Sequence, residues 1–229
     1  MSTLRLIQSE VCPYAQRTHM CLLEKALEFE VIEIDLGNKP AWFEEISPYS
    51  KVPVLQHGDL KLYESSIINE YLEDMYPEPS LLPEKPAKRA LARIWIDFDN
   101  AKFVPTFYRV LLEQEAVRQQ QLTDDIISHL MFFESDGLLD NRDGPFWFGK
   151  NISLVDIAIY PHFERFGVLR TYRNIEIPQS CIKLLEWLDA MRERTSSQQT
   201  AHEDAYHVEA YRRYADGTAS GTTAKDMKQ

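Results

Sequence analysis

The sequence predicts an α/β domain followed by an all-helical one. Strand-like and helix-like patterns alternate through residues 4–75, and four prolines then crowd residues 76–86. Beyond them only helical periodicity remains. Four prolines in eleven residues cannot continue a helix, so this stretch reads as a linker.

The elements follow in order. Leu4–Ile7 alternates as a short strand. From Pro13 to Leu27, Ala15, Thr18, Leu22 and Ala26 recur at three- and four-residue spacing, which predicts a helix with one buried face. Phe29–Ile34 reads as a second strand. Gly37–Pro40 turns the chain into a short helix ending near Ile46, and Ser47–Ser50 breaks it. Val52–Gln56 forms a third strand with its proline at the start, where no ladder donor is needed. His57-Gly58-Asp59 is a tight turn into Leu60–Tyr63, so strands three and four form a hairpin. Glu64-Ser65-Ser66 opens a helix with Ile67, Ile68, Tyr71, Leu72 and Met75 on its apolar side. After the linker, residues 88–114, 121–140, 153–171 and 179–194 carry helical periodicity, with shorter pieces near 200–214. Pro105 kinks or divides the first of these. The expected division is 1–77, a linker at 78–87, a helical domain at 88–215 and a disordered tail at 216–229, which has no apolar pattern.

Ser153-Leu154-Val155-Asp156 is a capping-box pattern, with Ile152 and Ile157 placed as a hydrophobic staple. That assigns Asp156 to folding. Trp95, Phe103, Phe107 and Tyr108, at helical spacing, read as core rather than as a pocket lining.

The net charge of −11 argues against a nucleic-acid surface and against docking on anionic lipid. No apolar run approaches the roughly 20 residues of a membrane span. The start of the chain lacks a basic segment followed by an apolar one, so a cytoplasmic location is expected. The six histidines lack metal spacing, and no metal site is expected. Three cysteines cannot form a complete disulfide framework. Cys12 and Cys21 lie on one helix about 13 Å apart along its axis, too far to bridge. Cys21 and Cys181 read as small buried hydrophobes.

Cys12 is different. It stands where a strand turns into a helix, with Pro13 at the first helical position. The free N–H groups and positive dipole end there favour thiolate over thiol, and Arg17 adds a positive charge one turn on.

Cys12-Pro13-Tyr14-Ala15, Asn38-Lys39-Pro40-Ala41-Trp42-Phe43, Val52-Pro53 and Tyr63-Glu64-Ser65 stand within a βαβαββα order. With the proline-rich linker, the capping box and Phe163-Glu164-Arg165, this chain resembles the cytosolic glutathione transferases, most of all the omega class. The likeness covers roughly residues 4–200 and implies a thioredoxin-like first domain and an all-α second domain supplying the second-substrate pocket. It implies that Cys12 is the catalytic cysteine and forms a mixed disulfide with glutathione. Lys39 matches a lysine reaching a carboxylate of the tripeptide. Val52 matches the residue whose backbone pairs with the cysteinyl part, with Pro53 cis, and Glu64 and Ser65 match the pair at the γ-glutamyl end. Tyr14 stands in place of a common phenylalanine, beside the same ligand. Glutathione is then a co-substrate, and a small oxidised or disulfide compound, dehydroascorbate among them, is the second substrate. A homodimer is also implied.

The chemistry of the residues agrees. A lysine and a helix N-terminus suit the two carboxylates, and Glu64 suits the ammonium. Ala15 occupies the second-cysteine position of a Cys-x-x-Cys motif, so no local thiol resolves the disulfide. Two other readings stand beside this one. Glutathione conjugation would use a hydroxyl, for which Ser9 and Tyr14 are the nearby candidates. A non-catalytic regulatory protein on the same scaffold would use no nucleophile.

Overall fold

In a computed structural model describing residues 3–140 and 143–227, β1 (Leu4–Gln8) pairs in parallel with β2 (Phe29–Glu33) across the helix α1 (Pro13–Glu24). β1 also pairs antiparallel with β3 (Val54–His57), which returns as β4 (Leu60–Tyr63), giving the sheet order β2-β1-β3-β4. Central β1 buries apolar side chains on both faces, Leu4 and Leu6 on one and Ile7 on the other. The β3–β4 turn needs a positive φ, which Gly58 supplies at 60°. α1 ends earlier than its periodicity suggests. Lys25 caps it, and Ala26 takes a φ of 49° that directs the chain into β2. A 3₁₀ turn spans Ala41–Glu45, and α2 (Ser65–Met75) closes the α/β unit.

The proline-rich stretch is anchored, not loose. The buried Lys25 ammonium donates to the carbonyls of Tyr76 and Pro79 and pairs with Glu73 at 2.7 Å. Glu73 in turn accepts from the backbone of Leu81 and Leu82. Across the boundary, Leu154 N–H donates to Leu81 O at 2.8 Å.

The helices are α3 (Pro86–Phe98), α4 (Val104–Leu112), α5 (Ala116–Ser135), α6 (Leu154–Glu164), α7 (Gly167–Arg173), α8 (Ile182–Arg192), α9 (Thr195–Thr200), α10 (Asp204–Ala215) and α11 (Thr222–Met227). α3 opens with Pro86 at its first turn. Between α3 and α4 the backbone widens into a π-helical segment, Asp99–Phe103, just before Pro105, which has no N–H to continue the ladder. The periodic stretch 153–171 is two helices, α6 and α7, meeting at Arg165–Phe166. Gly167 opens α7 where a Cβ would lie about 3.0 Å from the Asp204 carboxylate.

The capping box forms with both of its bonds. Asp156 also accepts from Trp147 N–H at 2.9 Å and from Trp187 Nε1 at 2.8 Å, tying three segments together. Phe103, Phe107 and Tyr108 lie in the core, as does most of Trp95, and one apolar cluster runs through both domains. Cys21 and Cys181 are fully buried thiols.

As far as Met227 the tail departs from the expected disorder, and residues 228–229 lie outside the described residues. Gly217, at a φ of 75°, reverses the chain, and α11 packs Ala224 and Met227 against Leu112 with Ala219. Ala219 and Ala224 are small and Met227 is the one large apolar residue of the described tail, which is why no pattern stood out in the sequence. Among the described residues no helix is long and apolar enough to cross a membrane.

Candidate functional site

Cys12 sits at the N-cap of α1, its backbone extended and its N–H bound to Ser9 O at 2.9 Å. The turn leaves the thiol partly exposed, facing the loop before β3, where Sγ donates to Val52 O at 3.7 Å. Four groups pull its pKa down: the N–H groups of Ala15 and Tyr14 and the guanidiniums of Arg165 and Arg17. Desolvation outweighs them, and the Cys12 thiol is pushed up from its ordinary value. This corrects the expectation from helix position alone. The dipole and charges act in the expected direction, but the surrounding apolar wall acts more strongly.

The sign has a kinetic consequence. With a raised pKa, the thiolate fraction climbs about tenfold per pH unit through the neutral and mildly alkaline range. Alkylation of Cys12 by iodoacetamide, followed by peptide mass mapping, is expected to accelerate in that way from pH 7 to 9. A rate already flat at pH 7 would contradict it.

The residues named from sequence come from four separate segments and line one cavity of about 840 Å³. Cys12, Tyr14, Lys39, Val52, Pro53, Glu64 and Ser65 all reach it. The Val52–Pro53 bond is cis. Lys39 is held by Ser50, its ammonium donating to the carbonyl at 2.7 Å and the hydroxyl at 3.1 Å. Ser65 is buried at the start of α2, where backbone N–H groups are free to bind an anion. Glu64 precedes it with a φ of 70°, which a residue with a Cβ adopts only under constraint, at about 1–3 kcal/mol. Such strain collects at ligand-holding positions. Tyr14 lies under the Arg17 guanidinium, 4.8 Å from ring centroid to Cζ, and burial raises its phenol pKa far above the ordinary value.

The sequence points to Arg17 as a charge near Cys12, but not to its partners or to several other residues of the site. Arg17, fully buried, pairs with Asp99 at 2.5 Å and donates to Asn100 Oδ1 and Ala158 O, both at 2.7 Å. Asn100 also donates to Ser66 Oγ, so the π-helical segment braces both α1 and α2. Burial pushes the Asp99 carboxyl up to about 7, against the pull of Arg17. Asp97 and Asp99, two residues apart in sequence, share no helix face, but that spacing says nothing about a partner on another domain. Arg165 is fully buried. It donates to Gln16 Oε1 at 2.5 Å, to Pro161 O at 2.7 Å and to Val11 O at 3.4 Å, beside Cys12. Gln16 is itself bound to Glu164 at 2.5 Å, and Glu164 accepts from His207 at 2.8 Å. Lys51, adjacent to Val52, adds a second lysine to the cavity, and α10 and the tail close its far wall.

No group of His, Cys, Asp and Glu suited to a metal occurs among the described residues. A partly exposed thiol beside a free helix N-terminus, lysines and the Glu64 carboxylate suits a small peptide-like anion with an ammonium group.

The description "Glutathione S-transferase, N-terminal domain" matches residues 6–80, and "Glutathione S-transferase, C-terminal domain" matches residues 115–190. The chain is 33% identical to glutathione S-transferase L3 of Arabidopsis thaliana over 92% of its own length and 87% of the relative's. It is 31% identical to glutathione S-transferase omega-1 of Sus scrofa, covering 82% of this chain and 76% of that one. The crystal structure of glutathione transferase Omega 3C from Trametes versicolor superposes with a TM-score of 0.83 at 32% identity, covering 94% of this chain and 91% of the other.

Proposed function

The chain belongs to the glutathione transferases, and from that premise we propose that it is a cysteine-type thiol transferase or reductase using glutathione as co-substrate. The observation that carries the reading is Cys12 Sγ, open to the cavity and 3.7 Å from Val52 O, on the same wall as the proposed peptide cradle. Ser65 and the start of α2 would take the γ-glutamyl carboxylate, Glu64 the ammonium, the Val52 backbone the cysteinyl unit, and Lys39 the remaining carboxylate. That arrangement directs the glutathione sulfur to Cys12.

The cycle balances with two thiol exchanges. The Cys12 thiolate attacks the glutathione-side sulfur of a mixed disulfide, forming Cys12–S–S–glutathione and releasing the substrate thiolate. A second glutathione thiolate attacks that disulfide, giving oxidised glutathione and free Cys12. Ala15 leaves the first disulfide without an internal attacker, so the second glutathione is required. Small oxidised compounds such as dehydroascorbate enter the same cycle by consuming two glutathione thiols. Conjugation by a hydroxyl has weaker support, because Ser9 is buried outside the cavity wall and the Tyr14 phenol resists ionisation.

The direct experiment is intact-mass analysis after incubation with oxidised glutathione. One glutathione adduct mapping to Cys12 is expected; adducts confined to Cys21 or Cys181 would defeat the reading.

A homodimer is part of the same proposal, through the face made by α2, α3 and α5. Ile67 and Ile94 are each 60% exposed there, near exposed Leu91 and Phe132, and the Arg93–Glu70 pair at 2.6 Å joins two of the helices. Light scattering on an Ile94→Glu variant is expected to give a monomer where the parent gives a dimer; an unchanged mass excludes this face.

A further inference from the structure

The cavity has a charged partner of its own making. Lys51 stands directly before Val52, and its ammonium holds the Asp226 carboxylate of α11 at 2.7 Å. Both residues belong to the cavity wall. The tail that brings Asp226 there is docked by other contacts: Arg109 Nε donates to Met227 O at 3.3 Å, and Ala224 is fully buried. Lys51 and Asp226 are each 45% exposed at the side chain, so the pair itself is weak and displaceable. Tethering nevertheless supplies the carboxylate at high effective concentration.

We propose that the C-terminal segment is an internal competitor, its Asp226 carboxylate occupying the Lys51 ammonium that a carboxylate of incoming glutathione would otherwise engage. The proposal rests on the glutathione reading. With Ser65 and Glu64 at one end of the cradle and Val52 at its middle, the carboxylate left for the lysines is that of the glycine. Glutathione binding then exchanges one lysine–carboxylate pair for another, and its affinity is lowered by the contact it must replace. No bond is made or broken; α11 gives up one anchor and keeps its apolar contact with Leu112.

The test is calorimetric titration of the full-length reduced protein with glutathione, for the parent and for Asp226→Asn. An exposed pair of this kind corresponds to about two- to fivefold, so Asp226→Asn is expected to bind glutathione more tightly by that factor. Asp226→Glu is expected to restore the parent value. Glutathione monoethyl ester, with no glycyl charge, is expected to bind parent and Asp226→Asn equally. Equal binding of glutathione itself, or weaker binding by Asp226→Asn, overturns the competitor role while leaving the glutathione reading intact. Weaker binding would make the tail a clamp. Absence of binding by both proteins overturns the glutathione reading and the competitor with it.

Discussion

Replacing Cys12 by Ser is expected to lower disulfide-exchange turnover by at least about 10³-fold while leaving glutathione affinity within about twofold. The two effects separate because the thiol and the cradle are different parts of the cavity. A serine oxygen cannot form the mixed disulfide, and its proton is far harder to remove than that of a thiol, even one whose pKa burial has raised. The cradle attributed to Lys39, Val52, Glu64 and Ser65 is untouched, and serine fits the N-cap at least as well as cysteine. Assays with a glutathione mixed disulfide and, separately, with an electrophile would read both outcomes. Surviving exchange activity would place the nucleophile elsewhere; a gain in conjugation alone would show that the site had changed its chemistry without losing its ligand.

Asp156→Ala is expected to be the most destabilising single substitution argued from this fold, by about 3 kcal/mol or more. The carboxylate is completely buried and accepts from Ser153 N–H at 2.8 Å, Ser153 Oγ at 2.6 Å, Trp147 N–H and Trp187 Nε1. Removing it strips the start of α6 of its cap and leaves several buried donors without an acceptor. For a chain of this size the melting temperature should fall by roughly 10 °C. Thermal unfolding by circular dichroism measures this, and a shift below about 2 °C would show that the bonds contribute little. Asp156→Asn keeps an acceptor oxygen and is expected to lose less.

The parts legible in the sequence were those written in local pattern. Period-two runs and the Gly58 turn placed the strands, three- and four-residue spacing placed α1 and α2, and the capping box marked the start of α6. The candidate residues that converge on one cavity were legible because their motifs are short and contiguous: the turn at Cys12, the Val52-Pro53 pair and Glu64-Ser65. What stayed hidden was written across distance. Asp99 acquires its partner only when the π-helical segment meets α1, and Arg165 reaches Val11 only when the second domain closes on the first. The opposing electrostatics of Cys12 were half legible, since a helix start can be read from spacing but the depth of an apolar wall cannot. The tail was misjudged because Ala219 and Ala224 are too small to make a pattern, yet small enough to pack closely.

The anchoring of the linker through Lys25 and Glu73 bears on how the two halves respond to each other. That ion pair is buried, the boundary stretch is bound down and one apolar cluster continues across it, so the two halves share one packed core. The break in sequence character after residue 76 marks a change of architecture, not a break in packing. A substitution that loosens the helical half is therefore expected to lower the stability of the thiol site as well.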